Sequence, residues 1–557
     1  MIPFCKMKSE RKTKIMMNKI EKLLVNRGFN LNQLLNDTKE YRIKNLDEAA
    51  RVIQEAIAQG RVIYVLADYD CDGVMSGCIL YTGLTELGAH FIMRFPKKQS
   101  EGYGLSEKIL PEIPDNALLV TIDNGIAAVE IIEELKNRGI DTVILDHHII
   151  RGDGLVPNAH VLVDPHIEKN EGDFEHYCGA GIGFKLMELL NVSEETKKKA
   201  NVFAALATIQ DIVPLVEDNR NIVREGLRIM NANEVKIPGL YALLNALKLT
   251  PTKDLDAAIQ EMDVSFQIGP CINAMGRMHD DGAQRVFERL MHYDKFGMDG
   301  IFDIIQSNND RKVLTAEQQT LLDEDAEKNM TKKTTCLVVY LPGLHEGIIG
   351  INAARLVEKF NMPAVVLTDS ENGMLKGSAR STDDIHMKEV LDSAAEWIYA
   401  YGGHAGAAGL TVEKDKLEGF IEAVNNACPK SKANTSTWKY DLEVTETELP
   451  ALYSQLRRYA PYGEGFPLPV FKVVGYNLVA KYGKKHRFVG TNGVAFNGAK
   501  VDGVSFSIKE KYQEMGTPTQ MNLIATLGWS SYSKAVQMNV SDIQAVICRN
   551  DDDDYLI

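Results

Sequence analysis

A chain of 557 residues is too long for one hydrophobic core and implies about three or four domains. Its 45% hydrophobic and 25% charged residues are the balance of an ordinary soluble protein, with no apolar run near the roughly 18 residues of a membrane helix. The net charge of −15 excludes simple coating of nucleic acid, yet leaves room for an enzyme with a basic groove, because a site for divalent cations itself needs carboxylates.

The N-terminus is basic but lacks the apolar stretch of a signal peptide. Residues 1–60 read as a helical region. From 61 to about 225 short apolar runs alternate with helices: VIYVLADYD, ALLVTIDNG and DTVILDHH each end in a polar turn. This alternation predicts an α/β unit with a parallel sheet. Residues 226–335 read as a helical connector, closing on the polar helix SNNDRKVLTAEQQTLLDEDAEK. A second α/β unit covers 336–430 and includes the glycine-rich turn YGGHAGAAG. The segment 429–437 reads as a linker, 437–550 as a small β-barrel, and 551–557 as an acidic tail. The eight cysteines are scattered without a CxxC pair, so no disulfide framework or cysteine zinc site is implied, and a reducing cytoplasm is the expected compartment.

Three of the strand ends carry acids or histidines: Asp68, Asp70 and Asp72 in ADYDCDG, Asp123 in TIDNG, and Asp146, His147 and His148 in LDHH. Ligands of an open parallel sheet collect beyond its carboxyl edge, so these loops should converge. Asp and His without thiolate suit Mn2+ or Mg2+. Two ions about 4 Å apart would stabilise the attacking and leaving oxygens of a phosphoryl displacement. An Asp at a strand end also serves as a helix N-cap. Three such loops, one with adjacent histidines, are harder to explain as structure alone.

The same residues resemble the DHH phosphoesterases. DHH at 146–148 is their signature, while ADYDCDG, TIDNG and ATIQDIVPL, with Asp211, look like their other motifs. GGHAGAAG at 402–409 resembles the DHHA1 domain. SEGYGLS, CGAGIGFKL, GPCINAMGRM, HEGIIGINAARL and APYGEGFPLPVF are similar to the RecJ branch, in order along nearly the whole chain. The resemblance implies a DHH core, a DHHA1 domain and a C-terminal OB-fold around a single DNA strand, in a monomer.

It also implies roles. Asp123 would bridge two ions, Asp70 would belong to the first, and Asp72, His147 and Asp211 to the second. His148 would face the scissile phosphate, stabilising its charge or protonating the leaving oxygen. Asp68 would orient its loop, and Asp146 would support the histidines as an acceptor. Where RecJ-type first motifs carry a histidine ligand, this chain has Leu66, which weakens the first site unless Asp68, water or the DNA phosphate completes its shell. Arg277, Ser378 and Arg380 match phosphate-contacting positions. Lys98 stands where relatives hold the 5′ end with arginine, keeping the charge but not the fork. His404 sits in a glycine turn that lets backbone approach a phosphate. Arg355 reads equally as a DNA contact or a solvated helix residue.

In the C-terminal region, Lys481, Lys484, Lys485, His486 and Arg487 near Phe488 read equally as a strand-binding groove or a solvated hairpin, and Trp529 and Tyr532 as stacking or buried aromatics. The tail Asp551–Ile557 resembles the acidic tip of single-stranded-DNA-binding proteins, which implies a partner protein; a solvated end is the plain alternative. The expected activity is a metal-dependent 5′ to 3′ exonuclease on single-stranded DNA, serving recombination, repair or replication. Two rivals stay open: a phosphodiesterase of short oligonucleotides, and a silent strand-binding scaffold, to which Leu66 lends its support.

Overall fold

Five apolar runs, each closed by a polar turn, build the first sheet of the computed structural model, which describes residues 17–546 except 38, 151, 153, 168–172, 371–372, 432–437, 491 and 532. They are β1 (Ile63–Ala67), β2 (Phe91–Arg94), β3 (Leu118–Ile122), β4 (Asp141–Leu145) and β5 (Val161–Val163), all parallel in the order β2-β1-β3-β4-β5. Every residue of β1 and β3 is buried, as a strand covered on both faces requires. Ile63, Val65 and Ala67 pack beneath helices Cys71–Glu86 and Gly179–Leu189, while Tyr64 and Leu66 pack beneath helix Val129–Asn137. The chain steps from β1 to β2 on one side and from β3 to β5 on the other. A crevice opens where the order reverses, at the carboxyl ends of β1 and β3.

The first 60 residues serve two cores. Helix Leu46–Ala58 packs with the parallel sheet. Ile20, Leu24 and Leu34, on helices Lys19–Asn26 and Leu31–Leu35, instead join Val444, Leu452 and Phe471 near the other end of the chain. The helical stretch ends in the long helix Tyr293–Asn329, kinked at Gly297, whose φ of 59° belongs to the left-handed region. Ile301 and Ile304 lie in the first core, and Leu322 and Ala326 lie against the second sheet.

That second sheet has the order β6-β7-β8-β10-β9, from β6 (Leu337–Tyr340), β7 (Ala364–Asp369), β8 (Met374–Arg380), β9 (Ala400–Gly403) and β10 (Ala407–Glu413). Only the β6–β7 pair is parallel. The third sheet joins β11 (Leu442–Val444), β12 (Phe471–Asn477), β13 (His486–Val489), β14 (Gly493–Phe496), β15 (Asp502–Ser505), β16 (Gln520–Ser530) and β17 (Ala535–Ala545) in the order β11-β12-β16-β17-β15-β14-β13. Among the described residues β11 and β13 remain its edges, which suits a partly open OB-type barrel. The acidic tail and Tyr532 lie outside the described residues.

The APYGEGF segment joins the first core to this sheet. Arg220, buried on helix Glu217–Asn231, donates to the carbonyls of Leu34 (3.3 Å), Pro461 (2.7 Å), Ala460 (3.3 Å) and Tyr459, and its guanidinium lies 4.5 Å from the centre of the Phe466 ring. Leu215 N donates to the Glu464 carbonyl at 2.8 Å. Arg220→Ala would strand several buried carbonyls, each worth about 1–3 kcal/mol. The expected loss, about 3 kcal/mol or more, is read from denaturant unfolding; a loss below about 1 kcal/mol would mean that apolar contact alone holds the joint.

Candidate metal centre and phosphate cleft

The loop after β1 turns directly into helix Cys71–Glu86. Asp70 is its N-cap and accepts from the amides of Asp72 (2.9 Å) and Gly73 (3.2 Å). The loop must stay tight here, because a Cβ on Gly73 would fall 2.3 Å from the Asp68 carbonyl oxygen. Asp72 points the other way, into the N-terminus of helix Gly179–Leu189, and accepts from Gly179 N (2.6 Å) and Ala180 N (2.8 Å). Asp123 follows β3 in the left-handed region, with φ of 62°, which a non-glycine residue adopts only under constraint. Gly179 makes room for it, since a Cβ there would lie 2.5 Å from that of Asp123.

After β4, Asp146 is fully buried and organises both histidines. One oxygen accepts from His147 N (2.8 Å), His148 N (3.3 Å) and His148 Nδ1 (2.7 Å); the other accepts from Ile126 N (2.8 Å). His147 Nε2 lies 3.0 Å from Asp123, 3.6 Å from Asp72 and 3.9 Å from Asp211, which ends helix Glu194–Gln210. The crevice thus collects every residue expected at the metal centre.

Ligand atoms fall into three groups, each within 4.8 Å: Asp72, His147 and Asp211; Asp68, Asp70 and Asp123; and Asp123, His147 and His148. Asp123 is common to the last two. The first group matches the expected second ion. The second groups Asp68 with Asp70 and Asp123, within reach of an ion as well as of its own loop, with one buried oxygen that has no hydrogen-bond partner among the described residues. Asp68 is therefore positioned to make good the ligand that Leu66, packed beside Tyr64, Leu105 and Ile109, does not supply.

Crowding shows in the proton affinities. Burial, then the charge of Asp70, pushes the Asp68 carboxyl well above its ordinary range; burial, then Asp72 and Asp70, does the same to Asp123. Asp211 is pushed up to about 8, by burial and then by Asp72 and Asp70. Burial also opposes the charge of Asp146, but the His148 hydrogen bond and both histidines outweigh it and bring the carboxyl below its usual value. Burial likewise opposes protonation of His148, yet the bond to Asp146 lifts it to about 9. Carboxylates that cannot all be ionised side by side, together with an unpartnered oxygen, fit a site for hard divalent cations.

The crevice opens into a cleft of about 1330 Å³ between the first and second sheets, whose walls include Lys98, Arg277, Ser378, Arg380 and His404. All five expected phosphate contacts thus share one space. Ser378 and Arg380 end β8, with Arg380 Nη1 donating to Ser378 Oγ at 3.0 Å. Gly350, opposite, has no side chain to block them; a Cβ would lie 2.9 Å from the Arg380 guanidinium. Lys98 lies over the Tyr69 ring at 4.5 Å, and burial with the nearby Arg277 lowers its proton affinity to about 8.

Residues 62–209 match the DHH family, N-terminal domain; 333–430 match the DHHA1 domain; and 440–542 match the RecJ OB domain. The chain belongs to the RecJ family. Over 509 residues it is 29% identical to the single-stranded-DNA-specific exonuclease RecJ of Salmonella typhimurium, with 84% of each chain covered. It superposes with a TM-score of 0.75 on RecJ from Thermus thermophilus in complex with Mn2+, at 25% identity over 94% of this chain and 75% of that one. A second RecJ structure, bound to manganese, gives 0.60 at 28% identity over 71% of this chain and 98% of that one.

Three further residues, in the cleft or beside the metal centre, stand outside the sequence expectations. Lys376 alternates with Ser378 and Arg380 along β8 and so faces the same cleft, a period-two signal present in KGSAR. Tyr103, within SEGYGLS, places its hydroxyl 2.9 Å from His148 Nε2. Asp164, just after β5, is buried with one unpartnered oxygen, and burial raises it to about 7. By contrast, Lys481, Lys484, Lys485, His486, Arg487 and Phe488 lie on the third sheet, outside the cleft walls, and Trp529 stacks on Tyr453 at 6.3 Å.

Without ions, the folded chain holds protons on Asp68, Asp123 and Asp211 that the unfolded chain releases from about pH 4 upward, and for Asp211 that window runs to about pH 8. Stability therefore falls as pH rises through that window. Mn2+ should raise the melting temperature more at pH 8 than at pH 6. Chelated Asp123→Asn should melt above chelated wild type at pH 8 and respond less to Mn2+; equal shifts in both proteins would detach Asp123 from the ions. Tyr103→Phe removes one hydrogen bond from His148, and steady-state kinetics should show kcat down about tenfold with KM within about twofold.

Proposed function

We propose that this chain is a metal-dependent exonuclease that hydrolyses single-stranded DNA from the 5′ end. One observation carries the reading: an acidic crevice and a cationic wall face each other across a single cleft, the pairing that a phosphodiester held between metal ions and arginines needs. The family supplies the substrate, because the matched relatives are single-stranded-DNA-specific exonucleases.

In this reading Asp70, Asp123 and Asp68 would hold one Mn2+ or Mg2+ ion, and Asp72, His147, Asp211 and Asp123 would hold a second. Such ions, when bound, would supply charge stabilisation for the attacking and leaving oxygens. Asp146 fixes the imidazole of His148 through Nδ1, and Nε2, which meets the Tyr103 hydroxyl in this structure, would exchange or share that bond with the scissile phosphate when a strand is bound. Arg277, Ser378, Arg380 and the His404 turn bind phosphate oxygens, and Lys98 takes the terminal phosphate. Contacts to the backbone rather than to bases give low sequence preference.

We further propose that the units 61–225, 226–335, 336–430 and 437–550 act together in a cytoplasmic monomer. Among the described residues no helix is long and apolar enough to cross a membrane.

A long single strand labelled at either end, incubated with Mn2+ and then Mg2+, tests the reading. The expected result is early release of label from the 5′ end, absent in Asp123→Ala. Release from the 3′ end would overturn the polarity. Turnover of dinucleotides alone would favour the oligonucleotide phosphodiesterase, and strand binding without cleavage in either metal would favour the silent scaffold.

A further inference from the structure

Away from the cleft, the turn Lys481–Lys484 and edge strand β13 gather positive charge beside partly exposed aromatic rings, with the Lys509 ammonium 5.3 Å from the centre of the Phe488 ring. Lys484, Lys485 and Arg487 are exposed, and among the described residues none has a carboxylate within ion-pair distance. Lys481 is tied to Asp502 at 2.7 Å. Tyr482 is fully exposed, and Phe488 and Phe506 expose 44% and 72% of their surface. Among the described residues β13 pairs only with β14, which leaves its other edge without a strand. Lysines on an edge strand guard against edge-to-edge pairing. That role does not account for Tyr482 and Phe488, exposed beside them.

The chain carries a segment of complementary chemistry within reach. β17 ends at Ala545, and Val546 N still donates to the Gln520 carbonyl at 3.5 Å. Gln520 pairs with Asn477, only four residues before Lys481. Val546, the last described residue, therefore lies across one strand from Asn477, whose chain runs on into the basic turn. Residues 547–550 span at most about 14 Å when extended, and Asp551–Asp554 follow them. Tyr555, Leu556 and Ile557 come next and offer apolar groups to match Tyr482, Phe488 and Phe506.

We propose that Asp551–Asp554 dock on the basic turn and edge strand at 481–489 of the same chain, in competition with the phosphates of a single strand. Exposed ion pairs are individually weak. A short tether supplies millimolar effective concentration, so weak pairs are enough to hold the segment in place. A nucleic acid longer than a few nucleotides brings more charges and displaces it. A partner protein that captured the tail would have the same effect and would release the patch for DNA. Docking is independent of the nuclease reading; only the competition rests on it.

Zero-length carbodiimide cross-linking of the full chain, with Mn2+ present, tests the docking directly. The expected product at low salt joins the peptide carrying Asp551–Asp554 to Lys484 or Lys485 within one molecule. It should disappear at about 0.5 M salt, where charges are screened within about 4–5 Å. It should fade when a single-stranded oligonucleotide is added. Deleting 551–557 should tighten oligonucleotide binding about threefold at low salt, and Lys484→Ala with Lys485→Ala should remove that gain. No cross-link, or one formed only between molecules, would overturn the docking. A cross-link that oligonucleotide leaves intact would overturn the competition. Because the cross-link needs no turnover, its failure is separate from any failure of the exonuclease assay.

Discussion

The constraint on which the rest depends is the mutual repulsion of Asp68, Asp70, Asp72, Asp123 and Asp211 in one crevice. Two like charges 4 Å apart cost about 4 kcal/mol near a protein surface. The fold meets this locally. Asp70 and Asp72 each face the first amides of a helix, and His147 stands among three of the carboxylates. Asp123 is held in a backbone conformation it would not choose, against a glycine that leaves it space. What the protein itself does not neutralise, it leaves for cations. The crevice is committed to metal before it is committed to any substrate.

The opposite wall obeys the same rule with the sign reversed. Arg277 lies close enough to Lys98 and Arg380 that, after burial, it weakens the hold of each on its proton. Such a wall is comfortable only with anions against it. Lys98 follows β2 and Arg277 sits on helix Gly269–Met278 of the first core, while Ser378 and Arg380 end β8 of the second sheet, so the spacing at which the basic wall closes over the acidic floor is a tertiary property. A helix, not a loop, sets that spacing: Tyr293–Asn329 is rooted in the first core through Ile301 and Ile304 and in the second through Leu322 and Ala326.

The parallel sheet, its strand-end acids and the second α/β unit were legible in the sequence because period and position carry them. A buried strand is a short apolar run, and its carboxyl end is where polar residues become ligands. For Asp68 the sequence left two roles open, loop support and a ligand completing the first shell, and could not choose between them. Whether a carboxylate orients a loop or points into the site depends on the path of a few backbone atoms, and here Asp70, not Asp68, caps the helix. Tyr103 lay in a quoted motif, but its bond to His148 joins two loops 45 residues apart, which no local pattern encodes. The split of the first 60 residues between two cores was hidden for the same reason: amphipathic helices advertise an apolar face without naming its partner.

That split bears on how the protein is made. Helices Lys19–Asn26 and Leu31–Leu35 leave the ribosome early, carrying Ile20, Leu24 and Leu34. Their partners around Val444 to Ile543 are synthesised roughly 400 residues later, which at about 5–20 residues per second is some 20–80 s. For that interval the apolar faces have no native surface to cover them. The first sheet can close meanwhile, since helix Leu46–Ala58 is already in hand. The two ends of the chain are then stitched together last, and a nascent chain cut short before the third sheet would carry its earliest helices uncovered.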